Sequence, residues 1–275
     1  MKPAAFDYVR PDTVEQALDV LAEHGEEARI LAGGQSLAPM LNMRLATPAV
    51  LIDISRIEAL ESVTEKDGHI EVGAAATQDR LLRRPDLAAK QPLLAQALPW
   101  VGHHQTRQRG TVCGSVAHAD PSAELPLVLA HLGGEVLVRS RRRQRTVAAS
   151  DFQTGMMTTA LEADEMIVAC RFPAAAEGAT AAFREISQRH GDFAIVALSL
   201  TGDASGVRLG VGGVAAVPTI VDLPWLEGDD LDDALNDFAW SLGAGDDAHA
   251  SARYRRDLVR RLGRQMIEEA ARELS

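Results

Sequence analysis

The chain has 275 residues, 46% of them hydrophobic and 24% charged, with a formal net charge of −11 at pH 7. This composition excludes intrinsic disorder and fibrous repeats, and the acidic balance disfavours nucleic-acid binding, which needs a basic surface. No run reaches the roughly 20 apolar residues of a membrane-spanning helix, and the first residues lack the apolar segment of a signal peptide. We therefore expect a cytoplasmic protein that has no membrane segment and binds no nucleic acid.

Two cysteines, Cys113 and Cys170, limit the redox chemistry that the chain can perform. They are far apart in sequence and form no C-x-x-C motif, so a disulfide framework is not indicated. An iron–sulfur cluster held by cysteine alone needs four thiolates. The eight histidines show no zinc-ligand spacing with either cysteine. Redox chemistry in this chain therefore requires an organic cofactor, and we predict no metal site.

Hydrophobic periodicity predicts the order of helices and strands in the first part of the chain. Thr13 and Gln16 fit a capping box, and apolar residues then recur at helical spacing up to Gly25. Apolar runs complete a β-α-β pattern over the first sixty residues, and a polar loop is expected over 105–120. The predicted strands are 28–32, 50–54, 70–73, 135–138 and 145–147, and further helices are predicted from Thr77, at 92–103 and at 121–132.

The composition changes near residue 175, where small residues over 174–181 are typical of a linker. Beyond this segment, apolar and β-branched runs predict more strands, and a final stretch has the spacing of an amphipathic helix. We therefore expect two α+β domains with a boundary near residue 175. The predicted strands are 195–200, 207–211 and 218–221, and the predicted helix is 254–270.

Two glycine-bearing segments are candidates to bind an anionic group. AGGQSL (32–37) follows a strand, and RGTVCGS (109–115) precedes a helix. Glycine permits positive φ and a close approach of the backbone to a ligand, and consecutive N–H groups form an anion-binding nest. A micromolar-to-nanomolar cofactor needs about −8 to −12 kcal/mol, which two loops on one pyrophosphate would supply better than one. Spacing alone leaves open whether they converge or are ordinary turns.

Other patterns are weaker. GVGGVA (210–215) matches a dinucleotide motif, but Pro218 and a β-branched run predict a strand where the motif requires a helix. No G-x-S-x-G elbow or Cys/His pair supplies a nucleophile, so we assign no catalytic side chain. Five arginines between Arg139 and Arg145 indicate a solvated hairpin turn or, alternatively, a docking patch for an acidic partner.

Three segments together resemble a known family. AGGQSL (32–37), VGHHQTRQRGTVCGSVAHADPSAELP (101–126) and YRRDLVRRL (254–262) are similar to the FAD-binding medium subunit of molybdenum hydroxylases, the xanthine dehydrogenase and carbon monoxide dehydrogenase family. The resemblance covers essentially the whole chain. It implies an α+β fold with an FAD-binding domain of the vanillyl-alcohol-oxidase (PCMH) type at 1–175, in subdomains of about 1–56 and 57–175. A small α+β domain like the C-terminal domain of the CO dehydrogenase flavoprotein would follow at 176–275.

The resemblance also implies a set of cofactor-binding residues. Both glycine-bearing loops match FAD loops, of which the first contacts the pyrophosphate, and Val101 matches a position near the adenosine half. Asp120 and Glu124 match positions that bind polar parts of the cofactor, and Phe193 an aromatic residue against the flavin. Ile167 and Arg184 match positions that close over FAD. The full set is Ala32, Gly33, Gly34, Gln35, Ser36, Leu37, Val101, Thr111, Val112, Cys113, Gly114, Ser115, Asp120, Glu124, Ile167, Arg184 and Phe193.

Two positions depart from the family pattern R-N-x-G-T-I-G-G, namely Gln108 and Cys113. Cys113 stands where the family usually has glycine, which implies a negative φ at this position or a shifted loop and leaves flavin binding there open. A redox role for Cys113 is disfavoured, because no resolving cysteine is near it in the sequence.

The function implied by the resemblance is an electron relay. A large subunit with molybdopterin hydroxylates the substrate, and a small subunit with two [2Fe–2S] clusters passes electrons to FAD in this chain. The FAD then reduces an external acceptor, which is NAD, oxygen, a quinone or another carrier. Heterotrimers or dimers of heterotrimers are expected. A self-sufficient FAD-dependent oxidoreductase on the same fold and a flavin-free assembly subunit are alternatives, and the sequence identifies neither the substrate nor the acceptor.

Overall fold

The computed structural model describes residues 2–274, and its N-terminal part contains a small parallel sheet. Three strands lie in the order β1-β3-β2, both pairs are parallel, and helices make the crossovers. The Thr13 hydroxyl accepts a hydrogen bond from the Gln16 N–H at 3.2 Å, which confirms the predicted helix start. The elements are β1 (Asp7–Val9), α1 (Val14–His24), β2 (Ala28–Leu31), α2 (Leu37–Met43) and β3 (Val50–Asp53).

The middle part is organised on a five-stranded antiparallel sheet in the order β4-β5-β10-β6-β7. The sequence pattern does not predict the central strand β10, because a continuous apolar run lacks the alternation of a half-buried strand. The elements are β4 (Val63–Lys66), β5 (His69–Gly73), α3 (Gln78–Leu82), α4 (Leu87–Lys90), α5 (Pro92–Ala97), α6 (His104–Arg109), α7 (Val112–His118), α8 (Glu124–His131), β6 (Glu135–Arg139), β7 (Gln144–Ala148), α9 (Ala149–Phe152), β8 (Gln153–Gly155), β9 (Thr158–Thr159) and β10 (Met166–Pro173).

The C-terminal part is a four-stranded antiparallel sheet in chain order, with two helices packed together and against it. The GVGGVA segment ends one of these strands and no helix opens there, which confirms that it is not a dinucleotide fingerprint. The last helix is longer than predicted, and the helix before it was not expected. The elements are β11 (Thr180–Ile186), β12 (Val196–Asp203), β13 (Gly206–Gly212), β14 (Thr219–Leu223), α10 (Gly228–Ser241) and α11 (Ala252–Leu274).

Two apolar cores hold these parts together. The larger core takes its buried residues from positions 14–197, and the smaller core takes them from positions 195–270. The mixture of helices and strands, with β8 and β9 forming a fourth, two-stranded sheet, confirms the predicted α+β class, while the domain boundary near residue 175 stays a prediction. Among the helices of residues 2–274, none has the length and apolar character needed to cross a membrane.

Candidate cofactor-binding cleft

A single large cleft collects most of the residues that the sequence singles out. Its volume is about 1370 Å³, above the range of about 300–1,000 Å³ that is usual for pockets holding compact ligands. The space therefore suits an extended ligand such as a dinucleotide. The predicted residues that line it are Ala32, Gly33, Gly34, Gln35, Ser36, Leu37, Val101, Thr111, Cys113, Gly114, Ser115, Asp120, Glu124, Ile167 and Phe193.

The two glycine-bearing segments meet at this cleft. A Cβ atom placed on Gly33 would lie 2.0 Å from the Arg109 carbonyl oxygen and 2.8 Å from the Gly110 Cα. Only glycine permits such a contact between two backbones. Gly34 has a φ of +71°, and its carbonyl accepts a hydrogen bond from the Ala38 N–H at 3.0 Å as α2 begins. The two glycine-bearing segments therefore converge, a question that their spacing in the sequence left open.

The second segment is not the polar loop that the sequence predicts, because α6 and α7 occupy most of 105–120. The two helices are separated at Gly110, and Thr111 caps α7 by accepting a hydrogen bond from the Gly114 N–H at 3.0 Å. A bond from the Gln78 N–H to the Gly110 carbonyl, at 2.8 Å, holds the junction. Helix N-termini carry partial positive charge, so the start of α7 adds to the attraction of this region for an anion.

Cys113 lies in the first turn of α7, in right-handed helical conformation, so its side chain is compatible with the backbone there. It is 2% exposed, and its Sγ lies 3.4 Å from the Val72 carbonyl oxygen and 3.5 Å from the Cys170 Sγ. The two cysteines are therefore neighbours, contrary to the expectation from their sequence separation. A hydrogen bond with Cys113, together with burial, holds the pKa of the Cys170 thiol well above its ordinary value.

Two predicted residues do not line the cleft. The Arg184 side chain lies on the face of β11 that packs against α11, where its Nη2 donates a hydrogen bond to the Glu269 Oε2 at 2.5 Å. Alternation along the strand turns Arg184 towards α11, so this contact does not support the expectation that Arg184 closes over the cofactor, which stays a prediction. The Val112 side chain is fully buried in the larger core, so it does not contribute to the wall of the cleft.

Acidic groups and a carbonyl-rich turn form one part of the cleft wall. Glu124, the first residue of α8, is 6% exposed, and burial raises its pKa to about 7. Asp120 accepts a hydrogen bond from the Ser122 N–H at 2.8 Å, which shapes the turn before α8. The Arg107 Nη1 donates to the Val101 carbonyl at 3.0 Å and fixes the turn that carries this residue.

The C-terminal part contributes residues that sequence reasoning missed. Arg255 lines the cleft at 7% exposure and donates from its guanidinium to the Ile195, Gly245 and Ala250 carbonyls and to Asp247 Oδ2, the last at 2.7 Å. Arg255 thereby connects the segment before α11 to Ile195, two residues after Phe193. The Phe193 side chain is 66% exposed. Arg255 is part of the YRRDLVRRL segment (254–262). The resemblance therefore included this residue, but it did not predict that the guanidinium lines the cleft.

The arginine-rich hairpin is not an unpaired basic patch. Arg139 pairs with Glu15 at 2.9 Å and Arg141 with Asp19 at 2.7 Å. Arg145 and the buried Glu165 form a pair at 2.6 Å. These pairs support the interpretation as a hairpin turn whose charges are largely met within the chain.

The fold and the cleft are of the kind that accommodates an extended nucleotide cofactor. The sequence model of the family described as "FAD binding domain in molybdopterin dehydrogenase" matches residues 4–175. The chain is 37% identical to the nicotine 6-hydroxylase medium subunit of Paenarthrobacter nicotinovorans, over 98% of this chain and 99% of the relative. It is 33% identical to the carbon monoxide dehydrogenase medium chain of Afipia carboxidovorans, over 98% of both chains.

Solved structures give the same result. A crystal structure of Cu,Mo-CO dehydrogenase superimposes with a TM-score of 0.93 at 30% identity, covering 99% of this chain and 100% of the matched chain. Quinoline 2-oxidoreductase from Pseudomonas putida 86 superimposes with a TM-score of 0.92 at 32% identity, covering 100% and 99%. The chain therefore belongs to the family of FAD-binding medium subunits of molybdenum hydroxylases. It is an oxidoreductase subunit whose cofactor is FAD.

The residues present fit this cofactor. At Gly33 the two backbones leave no space for a side chain, and Gly114 lies so close to the Thr111 Oγ1 that a Cβ would come within 2.6 Å. The Gln78 Oε1 atom is buried beside this junction without a hydrogen-bond partner, in a residue that lines the cleft, so it is placed to accept a hydrogen bond from a hydroxyl or amino group of a ligand. Buried backbone donors and close-packed glycines are the groups that hold a pyrophosphate in nucleotide-binding proteins.

Proposed function

We propose that this chain is the FAD-carrying electron-transfer subunit of a heteromeric molybdenum hydroxylase. It would receive electrons from the [2Fe–2S] clusters of a small partner subunit and deliver them to an external acceptor, while a large partner subunit carries molybdopterin. The observation that carries this proposal is the match to relatives named as medium subunits over 98% of the chain. The two cysteines support it, since one [2Fe–2S] cluster needs four protein ligands and must lie in another chain.

The chain's own residues have the task of binding and orienting the cofactor. Bound FAD supplies redox chemistry that no side chain supplies. In this proposal N–H groups of 32–37 would hold the pyrophosphate, and 111–115 would pack against it at the start of α7, where the Val112 N–H already donates to the Ala76 carbonyl and the Gly114 N–H to the Thr111 hydroxyl. Val101 would lie beside the adenosine half. Glu124 and Asp120 accept hydrogen bonds from hydroxyl or amino groups, while Ile167 forms an apolar wall. Phe193, exposed at the cleft, lies against the flavin ring.

The first experiment is a visible spectrum of the full chain purified alone, followed by release and identification of the flavin. We expect stoichiometric FAD that is released by denaturation. Colourless protein that FAD does not restore would favour the flavin-free assembly subunit. Turnover of an organic substrate by this chain without partners would favour the self-sufficient oxidoreductase.

The second experiment tests the electron path. The chain is mixed with the separately purified large and small subunits and an organic substrate of the complex, and flavin bleaching is followed by stopped flow. We expect bleaching only when both partners are present, because the small subunit connects the molybdenum site to the flavin. Equal bleaching rates without the small subunit would contradict the proposed path.

A further inference from the structure

The two cysteines of the chain meet where α7 packs on the five-stranded sheet. Cys113 lies in the first turn of α7, and Cys170 lies on β10, the central strand of that sheet. Their Sγ atoms are 3.5 Å apart, although 57 positions separate them in sequence. Val72 pairs with Cys170 across β5 and β10, and its carbonyl oxygen lies 3.4 Å from the Cys113 Sγ. The packing of helix on sheet therefore holds the two sulfurs together.

This separation is close to that of a disulfide. A disulfide bond measures about 2.05 Å, so the two sulfurs would approach each other by about 1.5 Å, and no atom fits between them. The sequence disfavours a redox role for Cys113 because no resolving cysteine lies near it along the chain. The fold removes this objection, since it places Cys170 in contact with Cys113.

The pair can be reached from one direction. Cys113 is 2% exposed and lines the cleft, whereas Cys170 is fully buried behind it. A small, uncharged oxidant that enters the cleft therefore meets the Cys113 sulfur first. Cys170 is then the thiol that attacks the oxidised sulfur, so the geometry gives the two cysteines different parts in one reaction.

We propose that Cys113 and Cys170 form an oxidisable dithiol, which hydrogen peroxide converts to an intramolecular disulfide. The Cys113 sulfur attacks one peroxide oxygen and the O–O bond breaks, which gives a sulfenic acid and one water. The Cys170 sulfur then attacks the sulfenic sulfur. The S–S bond forms, the S–O bond breaks, and the leaving hydroxyl takes the Cys170 proton as a second water. The two thiols lose two electrons and two protons, and the peroxide is reduced to two waters.

The position of the dithiol connects its oxidation to the cofactor, a step that rests on the function proposed above. Cys113 belongs to the second glycine-bearing segment and is followed there by Gly114 and Ser115, which also line the cleft. FAD bound against this segment would cover the approach to the Cys113 sulfur. We therefore expect the disulfide to form in chains that lack flavin, while the holoprotein keeps both thiols reduced.

The first test follows the thiols of the folded, full-length apoprotein in millimolar hydrogen peroxide. Samples are treated with catalase, unfolded in urea with iodoacetamide and weighed by mass spectrometry. We expect both alkylation sites to be lost together, in a chain lighter by two hydrogen atoms, and to return after reduction with dithiothreitol. Two thiols that remain free overturn the proposal, as does a sulfinic acid at Cys113 with Cys170 still free.

The same reaction with FAD present tests the connection to the cofactor. At about ten times the FAD dissociation constant, roughly one chain in eleven is free, so the rate should fall about tenfold. An equal rate with FAD bound would show that the oxidant does not enter through the cofactor site. A chain that binds no FAD would contradict the function proposed above, whereas the disulfide of the apoprotein is measured without the cofactor.

Two variants test the order of the steps. In Cys170→Ala the sulfenic acid at Cys113 has no resolving thiol, so we expect it to be trapped by dimedone. In Cys113→Ala we expect the buried Cys170 to stay reduced in the folded chain, which circular dichroism verifies. Equal dimedone labelling of the two folded variants would contradict the different parts assigned to the cysteines. The disulfide measured in the wild type decides the proposal even if a variant does not fold.

Discussion

The two sides of the cleft are built on different physical principles. On the side of the N-terminal and middle parts, backbone meets backbone, as in the contact of Gly33 with the Arg109 carbonyl and the bond from Gln78 to Gly110. On the C-terminal side, a buried ionisable side chain makes the contacts, since the guanidinium of Arg255 donates to three carbonyls and to Asp247. We therefore expect the first side to be sensitive to added atoms and the second side to be sensitive to pH and charge.

The largest effect is expected at Gly33. In Gly33→Ala the new Cβ would collide with the Arg109 carbonyl, so the two segments must separate. Overpacking of this kind costs about 1–3 kcal/mol or more, which lowers affinity by roughly tenfold to 100-fold. The measurement is the FAD dissociation constant at pH 7. Gly155→Ala is the control, because its nearest neighbour is 3.8 Å away, and an equal loss in both variants would refute the backbone contact as the cause.

Where α8 of the middle part packs on the C-terminal sheet, His131 makes stability depend on pH. Its Nδ1 and Nε2 pair with the Ser199 and Thr201 hydroxyls at 2.8 and 2.9 Å, and burial lowers its pKa to about 3. Below pH 6.5 the unfolded chain binds a proton that the folded chain does not. The free energy of unfolding therefore falls by about 1.4 kcal/mol per pH unit from this group, or about 2 kcal/mol between pH 6.5 and 5.

The check is urea unfolding at both pH values for the wild type and for His131→Gln. The variant should lose much of this pH dependence, because glutamine does not titrate there. His104→Gln changes an exposed histidine and should behave as the wild type. If the His131 variant keeps the full slope, other groups cause it.

Arg255 provides a smaller test of the C-terminal side. In Arg255→Lys, one ammonium replaces a fork of donors that reaches three carbonyls and Asp247. We expect a loss of about 1–2 kcal/mol in the free energy of unfolding, on the scale of one hydrogen bond to a charged group. Thermal unfolding measures it, with the exposed Arg261→Lys as control. Equal melting temperatures for the two variants would show that the fork does not stabilise the fold.

The sequence predicts the backbone side of the cleft better than the side-chain side. A glycine pair after a strand is a local signal, and the first loop follows from residues 32–37 alone. Strand alternation places Arg184 and Glu185 on opposite faces of β11, but the pattern does not say which face turns towards α11, because packing of the whole sheet decides it. Likewise, the pairing of β10 with β5 brings Cys170 beside Val72 and hence near Cys113, which no local pattern encodes.

The smallest effect is expected at the thiol pair Cys113 and Cys170, which lies on the side of the cleft where backbones meet. Both thiols are buried, and the raised pKa of Cys170 keeps it protonated, whereas the thiolate is the form that reacts. We expect neither thiol to react with an aromatic disulfide reagent in the native holoprotein, and both to react after unfolding in urea. Cys113→Ala should change the FAD dissociation constant by less than about threefold, because the side chain is tied to Val72 and Cys170 while the backbone N–H groups hold the anion. Rapid native labelling of Cys113, or a large loss of FAD in Cys113→Ala, would mean that the side chain itself takes part in binding.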